Sequence, residues 1–380
     1  MFEEIVQFIR QIYGNRESVP LHAPVFRGNE KKYLADCIDT TFVSYVGPYV
    51  TQFEDMIRSF TGIKHALATA NGTLALHIAL ILSEVKREDE VLTQALTFVA
   101  TVNAIAYCGA SPVFIDSDRE SMGMSPEILE AFLAENSRIG DDGFCYNKKT
   151  GKRIKACVPM HVFGHPLRID IIKCICDKHN ITLIEDAAES LGSYYKGVHT
   201  GLFGKFSILS FNGNKTITTG GGGMILTNDD ELAVRAKHIT TTAKKPHQWE
   251  FVHDEIGYNY RLPNVNAAIG CAQMENLKEY LENKRELALI YKKYFDQIGV
   301  SFFTEPENCR SNYWLNVIVL KDENERDQFL KYSNENKVMT RPVWRLMNKL
   351  VMFQDCQCTS LDNASWFEKR VVNIPSSVRL

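Results

Sequence analysis

Between residues 64 and 240 the sequence alternates short apolar runs with segments of helical periodicity, and this alternation constrains the fold more than any other feature. Such an order of strand, helix and strand predicts an α/β fold with a mostly parallel sheet covered by helices. The runs predicted to form strands are KHALATA (64–70), EVLTQAL (90–96), SPVFIDS (111–117), KACVPM (155–160), ITLIEDA (181–187), FSILSF (206–211) and GGMILTN (222–228). The segments predicted to form helices are GTLALHIALIL (72–82), FVATVNAIAYC (98–108), SPEILEAFLAEN (125–136) and IDIIKCICDKHN (169–180).

The pattern changes after about residue 265, where a long helical segment leads into a second unit. There NYWLNVIVL (312–320) predicts a strand and ERDQFLKYSNEN (325–336) predicts a helix. A chain of 380 residues is long enough for one large domain and a smaller one. We expect three parts: an N-terminal segment 1–40 that packs with the small domain, a large domain 41–265, and a small C-terminal domain 266–380.

The composition is that of an ordinary soluble protein, with 45% hydrophobic and 23% charged residues and a net charge of −3. This charge favours neither nucleic acid nor a membrane as partner. The N-terminus lacks the basic start and uninterrupted apolar core of a signal peptide. The ten cysteines include two C-x-C pairs but no C-x-x-C metal or redox spacing. We therefore expect a cytoplasmic protein with reduced thiols and no bound metal.

Asp186 closes one apolar run, and Lys215 follows the next one after a short interval. Both residues are then predicted to lie at the C-terminal ends of strands, the edge at which open α/β sheets bind their ligands. A buried carboxylate together with a lone lysine suits the chemistry of pyridoxal phosphate. The lysine forms the Schiff base, and the aspartate keeps the pyridine nitrogen protonated. An ordinary ion pair is the alternative interpretation.

Further candidates follow other strands at the same edge. Gly72 and Thr73 begin a helix, whose free N–H groups and partial positive charge favour phosphate. Phe98 has an aromatic ring that can stack on a flat heteroaromatic ring, and Ser210 offers a hydroxyl to the same phosphate. Each candidate also has a purely structural interpretation. Asn71 would then be only a helix cap, Phe98 a core side chain, and Ser210 a hydroxyl bonded to nearby backbone.

Taken together, these segments resemble the DegT/DnrJ/EryC1/StrS family of sugar aminotransferases over nearly the whole chain, from about residue 20 to 378. The resemblance implies a pyridoxal 5'-phosphate-dependent enzyme of fold type I, like aspartate aminotransferase. Such enzymes have a large domain with a mostly parallel central sheet and a smaller α/β C-terminal domain. The matching segments are VSYVGPYVTQFE (43–54), NGTLAL (71–76), LTFVATVNAI (96–105), VFIDSD (113–118), HVFGHP (161–166), IEDAAESLG (184–192), SFNGNKTITTGGGGM (210–224), GYNYRLPNVNAAIG (257–270) and TRPVW (340–344).

The resemblance also implies roles around the cofactor ring. Lys215 would hold the cofactor as a Schiff base and then move the proton between substrate and cofactor. Asp186 would pair with the pyridine nitrogen, and Phe98 would stack on the ring. Glu189 stands where family members often carry His or Gln. Its hydrogen bond to the ring hydroxyl would need a protonated carboxyl group, or a carboxylate that accepts from that hydroxyl.

For the cofactor phosphate, the resemblance implies binding by Gly72, Thr73 and Ser210. It further implies a homodimer with shared active sites, in which Asn259 reaches the phosphate of the neighbouring subunit. The segment GYNYRLPN (257–264) resembles the inter-subunit loop of the family, and its aromatic residues and arginine suit an interface.

Within the family, VPLHAPVFRGNEKKYL (19–34) and SFNGNK (210–215) resemble the enzymes of legionaminic acid and bacillosamine pathways. The implied reaction transfers an amino group from glutamate to a UDP-linked 4-keto-6-deoxy-2-acetamido sugar, for surface-glycan biosynthesis. His161 and Arg341 are candidates to bind remote parts of this substrate. A buried core histidine and a surface or domain-interface arginine are the alternatives.

Other functions remain open to different degrees. The dehydratase branch of the same family replaces the Schiff-base lysine by histidine, so Lys215 argues against it. A non-catalytic member would lack Lys215 or Asp186, and both are present. An amino-acid aminotransferase would use an arginine clamp, for which Arg341 is the candidate. The sequence leaves amination at C3 or at C4, the nucleotide and the stereochemistry undecided.

Overall fold

The computed structural model describes residues 1–379 as helices packed on a central sheet and on a smaller second sheet. The α-helices of this part are α1 (Phe2–Ile12), α2 (Glu30–Asp39), α3 (Pro48–Thr61), α4 (Gly72–Leu82), α5 (Val99–Tyr107), α6 (Pro126–Asn136), α7 (Ile169–Lys178), α8 (Asp230–Thr240), α9 (Asn264–Ile298), α10 (Glu323–Glu335) and α11 (Asp362–Glu368). The strands are β1 (His65–Thr69), β2 (Glu90–Gln94), β3 (Ser111–Ile115), β4 (Ser137–Ile139), β5 (Cys145–Asn147), β6 (Ile154–Val158), β7 (Thr182–Asp186), β8 (Tyr194–Tyr195), β9 (Val198–His199), β10 (Phe206–Ser210), β11 (Gly223–Thr227), β12 (Ser301–Phe302), β13 (Cys309–Arg310), β14 (Asn316–Val319), β15 (Arg341–Pro342) and β16 (Val371–Ile374).

The central sheet has seven strands in the order β1-β11-β10-β7-β6-β2-β3. The pairs from β10 to β3 are parallel, whereas β11 runs antiparallel to both β10 and β1. No helix separates β10 from β11, and a direct return of the chain produces an antiparallel neighbour. The predicted α/β fold with a mostly parallel sheet is confirmed.

Both faces of this sheet are buried, which explains why its strands are continuously apolar. Consecutive strand residues point to opposite faces: Ile208 packs in the cluster with α4 and α5, and Leu209 packs in the cluster with α3 and α9. Met224 and Ile225 divide between the two clusters in the same way. The helices therefore hold the sheet rigidly from both sides, and its C-terminal edge is left to form a site.

Helix α9 connects the two units, since its two halves belong to different cores. Cys271 and Leu277 pack against α3 and the central sheet, whereas Leu287 and Phe295 pack with α1, α10 and the antiparallel sheet β12-β14-β16-β15. Helix α1 thus lies with the small unit, while α2 packs along the first half of α9. The boundary predicted near residue 265 falls at the first turn of α9.

No helix within residues 1–379 combines the length and the apolar character that crossing a membrane requires. All ten cysteines carry free thiols.

Candidate functional site

A cavity of about 310 Å³ lies at the C-terminal edge of the central sheet, where β7 and β10 end and α4 and α5 begin. Chain segments that are far apart in sequence meet there, as the topology of an open α/β sheet requires. The lining residues include most of the predicted candidates: Gly72, Thr73, Phe98, Asp186, Glu189, Ser210 and Lys215.

Asp186 is the last residue of β7 and is almost completely buried. Its Oδ2 accepts a hydrogen bond from the Thr101 hydroxyl at 2.7 Å, and its Oδ1 accepts one from the Ala188 amide at 3.1 Å. Burial raises the pKa of this carboxyl group, although both hydrogen bonds oppose the shift. A cation bound next to Asp186 would offset the free-energy cost of burying its ionised carboxylate. Thr101 was not among the predicted residues.

Lys215 lies in the turn after β10, and its side chain is 12% exposed. Its Nζ is 3.1 Å from Glu189 Oε1 and 3.9 Å from the centre of the Trp314 ring. The turn is fixed on both sides of this contact, because the Lys215 amide donates to Asn212 O and the Trp314 indole N–H donates to Asn214 O. The ammonium group is therefore held at a defined place in the cavity.

Glu189 is buried behind Lys215, and its Oε2 accepts a hydrogen bond from the Phe163 amide at 2.9 Å. Burial raises the pKa of this carboxyl group to about 7, although the adjacent Lys215 ammonium lowers it. The Glu189 carboxyl group is therefore a weaker acid than an exposed glutamate, and the Lys215 ammonium beside it favours its ionised form.

The other end of the cavity has the features of an anion site. Helix α4 begins at Gly72, and its first N–H groups have no partner within the helix. Asn71 caps this helix by accepting from the Leu74 amide at 2.9 Å, as the structural alternative predicted. A Cβ atom at Gly72 would lie 3.1 Å from the Ser210 Cβ, so glycine permits the close approach of α4 to β10. Cap and anion site are thus compatible.

Phe98 is the residue before α5, and 46% of it is exposed. This exposure argues against the alternative interpretation as a core side chain. Its ring centre is 6.1 Å from that of Trp344, which belongs to the TRPVW segment of the small unit. Phe98 therefore brings an aromatic ring to the cavity lining, with Trp344 beside it.

Three predicted residues lie outside the lining of the cavity. His161 is fully buried, its Nε2 is 2.8 Å from Glu185 Oε1, and its Nδ1 accepts from the Leu167 amide. This geometry corrects the substrate-binding assignment of His161, because neither ring nitrogen nor any surface is free for a ligand. Arg341 is exposed on β15 and bonds to Asn334 and Thr340, and Asn259 is exposed near the start of α9.

The comparisons with known proteins agree with this geometry. The model of the DegT/DnrJ/EryC1/StrS aminotransferase family matches residues 24–380. The chain belongs to this family. The predicted family and the predicted enzyme class, an aminotransferase, are thereby confirmed.

Among curated relatives, a GDP-perosamine synthase of Escherichia coli O157:H7 is 36% identical, over 94% of this chain and 93% of its own length. The putative pyridoxal phosphate-dependent aminotransferase EpsN of Bacillus subtilis is 38% identical, over 89% of this chain and 84% of its own. A DegT DnrJ EryC1 StrS aminotransferase structure from Brucella abortus is 26% identical, with a TM-score of 0.82 and coverage of 92% and 90%. PseC of Helicobacter pylori, at 22% identity, TM-score 0.84 and coverage of 94% and 93%, shows the shared fold alone.

The cavity of this DegT-family chain fits the cofactor that its sequence predicts. A buried carboxyl group, Asp186, stands where a ring cation would be stabilised, and the N-terminus of α4 with Ser210 stands where a phosphate would be bound. Lys215 lies in the same cavity with an amine available for covalent attachment. The volume is at the lower end of the range for small-molecule sites, about 300 to 1,000 Å³.

Proposed function

We propose that this sugar aminotransferase transfers an amino group from glutamate to a nucleotide-linked 4-keto-6-deoxy sugar. Its cofactor, pyridoxal 5'-phosphate, is a prediction confirmed by the family and by the name of the EpsN relative. The observation that carries the proposal is the presence of Asp186, Glu189 and Lys215 in one buried cavity beside an anion-binding helix start. A binding protein would not need a lysine held against a carboxylate there.

The cofactor, when bound, supplies an aldehyde carbon that accepts an amino group and a pyridine ring that withdraws electrons. The protein residues orient it and handle the protons. Asp186 would keep a proton on the ring nitrogen, and Thr101 fixes the direction of its carboxylate. Lys215 would provide the amine that attaches to the cofactor and would move the proton between the substrate carbon and the cofactor. The cofactor-binding roles of Gly72, Thr73, Phe98, Glu189 and Ser210 remain predictions.

For the substrate, the sequence prediction is a UDP-linked 2-acetamido-4-keto-6-deoxy sugar. Such a molecule carries its charge on the pyrophosphate, far from the carbon that reacts. It needs a groove outside the cofactor cavity rather than a clamp for a carboxylate. Arg341 remains the candidate for this groove, since it is exposed and, among residues 1–379, its guanidinium bonds only to uncharged groups, Asn334 and Thr340.

A second candidate is a GDP-linked 4-keto-6-deoxy sugar. It is favoured by two relatives of 36% and 35% identity, from Escherichia coli O157:H7 and Vibrio cholerae, which are both named GDP-perosamine synthases. The two candidates share the reaction at the keto carbon and differ in the nucleotide and in the group at C2. They therefore make the same demands on Asp186 and Lys215.

We also propose a homodimer with shared active sites. Asn259 is exposed and lies outside the cavity of its own chain, so it is free to reach the cavity of a second copy. Two further segments expose apolar side chains. The segment 249–256, which precedes Asn259 in sequence, exposes Trp249, Phe251 and Ile256 by 72 to 83%, and the segment 42–46 is hydrogen-bonded to Asn264 at the start of α9. Sedimentation analysis should give a dimer or a multiple of it, and a fully active monomer would contradict the proposal.

The reaction is tested by incubating the purified protein with glutamate and a panel of UDP- and GDP-linked 4-keto and 3-keto sugars. Mass spectrometry and NMR identify the products and the aminated carbon. Lys215→Ala is the matched control, since it removes the amine and leaves the rest of the cavity in place. Rapid amination of 2-keto acids with no activity on any nucleotide keto sugar would overturn the substrate class and leave the cofactor assignment standing.

A further inference from the structure

The ammonium group of Lys215 has two partners that belong to the protein itself. Glu189 Oε1 lies 3.1 Å from Nζ on one side, and the face of the Trp314 ring lies 3.9 Å away on the other. A carboxylate and the face of an indole are both attractive to a cation, and an ammonium with neither would be costly to bury. The Glu189 carboxylate and the Trp314 ring together form a pocket for the ammonium end of the Lys215 side chain.

Trp314 is fixed in this position by contacts on every side. It is 4% exposed, and its indole N–H donates to Asn214 O at 2.6 Å. Its amide donates to Asn312 Oδ1 at 2.8 Å, and its carbonyl accepts from the buried Lys284 ammonium at 3.1 Å. Because the Trp314 ring is held in this way, it cannot follow Lys215 when the lysine moves. It can therefore contact the ammonium group in one position of the lysine only.

Glu189 is fixed as firmly. Its second carboxylate oxygen is held by the Phe163 amide, and Phe163 has the left-handed backbone conformation, with φ of 54°. This conformation is uncommon for a residue other than glycine, and Phe163 keeps it while fully packed in the core. The Asn312 side chain donates to the Glu189 carbonyl, so the segment that carries Trp314 also positions Glu189. Glu189 and Trp314, the two partners of Lys215, are therefore held in place by one network of hydrogen bonds.

We infer that Glu189 and Trp314 form a holding site for the free ammonium of Lys215, which the lysine occupies while the amino group to be transferred resides on the cofactor. This inference rests on the proposed function, because the lysine is set free when the cofactor takes up the amino group that is to be transferred. In that interval the released ammonium would otherwise be buried without a partner, while Asp186 is engaged by the ring. The holding site keeps Lys215 within reach of the cofactor for the second half of the reaction.

The experiment loads the protein with pyridoxamine 5'-phosphate, which leaves Lys215 free, and labels it briefly with acetic anhydride. Peptide mass spectrometry gives the acetylation rate of Lys215 relative to Lys331, whose side chain is 78% exposed on α10. Rates are taken at about pH 8 and at the high-pH plateau, where the rates of both lysines no longer rise with pH, because the reagent attacks only the neutral amine. The relative rate at the plateau reports access to the site, and the ratio of the rate at about pH 8 to the plateau rate reports how strongly the protein favours the ammonium.

We expect Glu189→Gln to raise the relative rate at about pH 8 about tenfold and Trp314→Leu to raise it about threefold, with little change at the plateau. Trp314→Phe, which keeps an aromatic face, should remain within about twofold of the unchanged protein. Trp366→Leu is the matched control for the loss of a tryptophan, since Trp366 packs on Arg119 and Phe367 in the small unit.

Equal rates in Glu189→Gln, Trp314→Leu and the unchanged protein would overturn the inference. So would equal increases at about pH 8 and at the plateau, which would mean that the variants only open the site. If Trp314→Leu fails to fold, the nearly isosteric Glu189→Gln decides alone. No sugar nucleotide is used, so a failure of the proposed substrate would not affect the result, whereas a failure to bind the cofactor would count against the proposed function first.

Discussion

Asp186→Asn removes a charge from the cavity while preserving its shape. The amide oxygen can still accept from the Ala188 amide, and the Thr101 hydroxyl can rotate to accept from the new NH₂ group. The substitution therefore costs neither of the two hydrogen bonds that orient the side chain. Cofactor occupancy should remain, and only the stabilisation of a protonated ring nitrogen is lost.

The size of this effect follows from the burial of Asp186. Electrostatic contacts made in a water-excluded site typically contribute about 10²- to 10³-fold to the rate, or about 2.7 to 4 kcal/mol. Asp186 is 2% exposed, so solvent does not replace the lost charge. We expect Asp186→Asn to slow the half-reaction with glutamate at least ~10²-fold.

The assay is stopped-flow absorbance of the cofactor after mixing with glutamate, with occupancy measured in parallel. Thr101→Val is the matched control, since it removes one hydrogen bond and keeps the charge. Thr101→Val should slow the reaction less than about tenfold. A hydrogen bond to a charged group contributes about 1.5 to 3 kcal/mol, and the variant loses only part of this free energy. A loss below about fivefold in Asp186→Asn would refute the role assigned to this carboxylate.

Three further predictions concern the rest of the cavity. Lys215→Ala should abolish transamination and the covalent cofactor adduct that borohydride reduction otherwise fixes, as measured by mass spectrometry. Gly72→Ala places a Cβ 3.1 Å from the Ser210 Cβ and should weaken cofactor binding about tenfold, as measured by fluorescence titration. Burial raises the pKa of Glu189 from 4.5 to about 7. Ionisation of Glu189 therefore lowers the free energy of unfolding by an amount that is zero below about pH 4.5 and complete above about pH 7. Glu189→Gln should therefore gain thermal stability over the unchanged cofactor-free protein as the pH rises through this window, and a difference independent of pH would contradict this.

Much of the large unit could be predicted from local pattern alone. Helix α4 spans Gly72–Leu82, the segment predicted for it, because a helix cap and an unbroken apolar run define both of its ends. The direction of β11 could not be predicted, since an apolar strand has the same periodicity whichever way it runs. The polar segment 137–153 contains the hairpin β4–β5, which could not be predicted because its three-residue strands are too short to leave a pattern.

The residues of the candidate site also fall into those that the sequence could predict and those that it could not. Asp186 and Lys215 could be placed together because the ends of parallel strands meet at one edge. Trp314 could not, because its approach to Lys215 depends on how the small unit packs, across about a hundred residues of chain. Thr101 carried a weak signal, since it lies one helical turn after Phe98 and faces the same cavity.

The position of His161 could have been inferred from the strand that contains Asp186. Successive strand residues point to opposite faces, so if Asp186 faces the cavity, Glu185 must face the core. A buried carboxylate needs donors, and Glu185 obtains them from His161, from the Gly201 and Phe203 amides and from Ser207. The sequence therefore favours a histidine near the end of a neighbouring strand as a hydrogen-bond partner of Glu185 over a substrate-binding residue.

The charges of the cavity lead to one further conclusion about what it is built to hold. Within residues 1–379 it is lined by two buried carboxyl groups, those of Asp186 and Glu189, and by one ammonium group, that of Lys215, which lies against Glu189. Burial raises the pKa of both acids, so the cavity favours a ligand that brings positive charge. A ring that brings a proton on its nitrogen would supply this charge at Asp186. The phosphate of the same molecule would avoid both carboxylates by lying at the start of α4, where the helix itself provides the positive end.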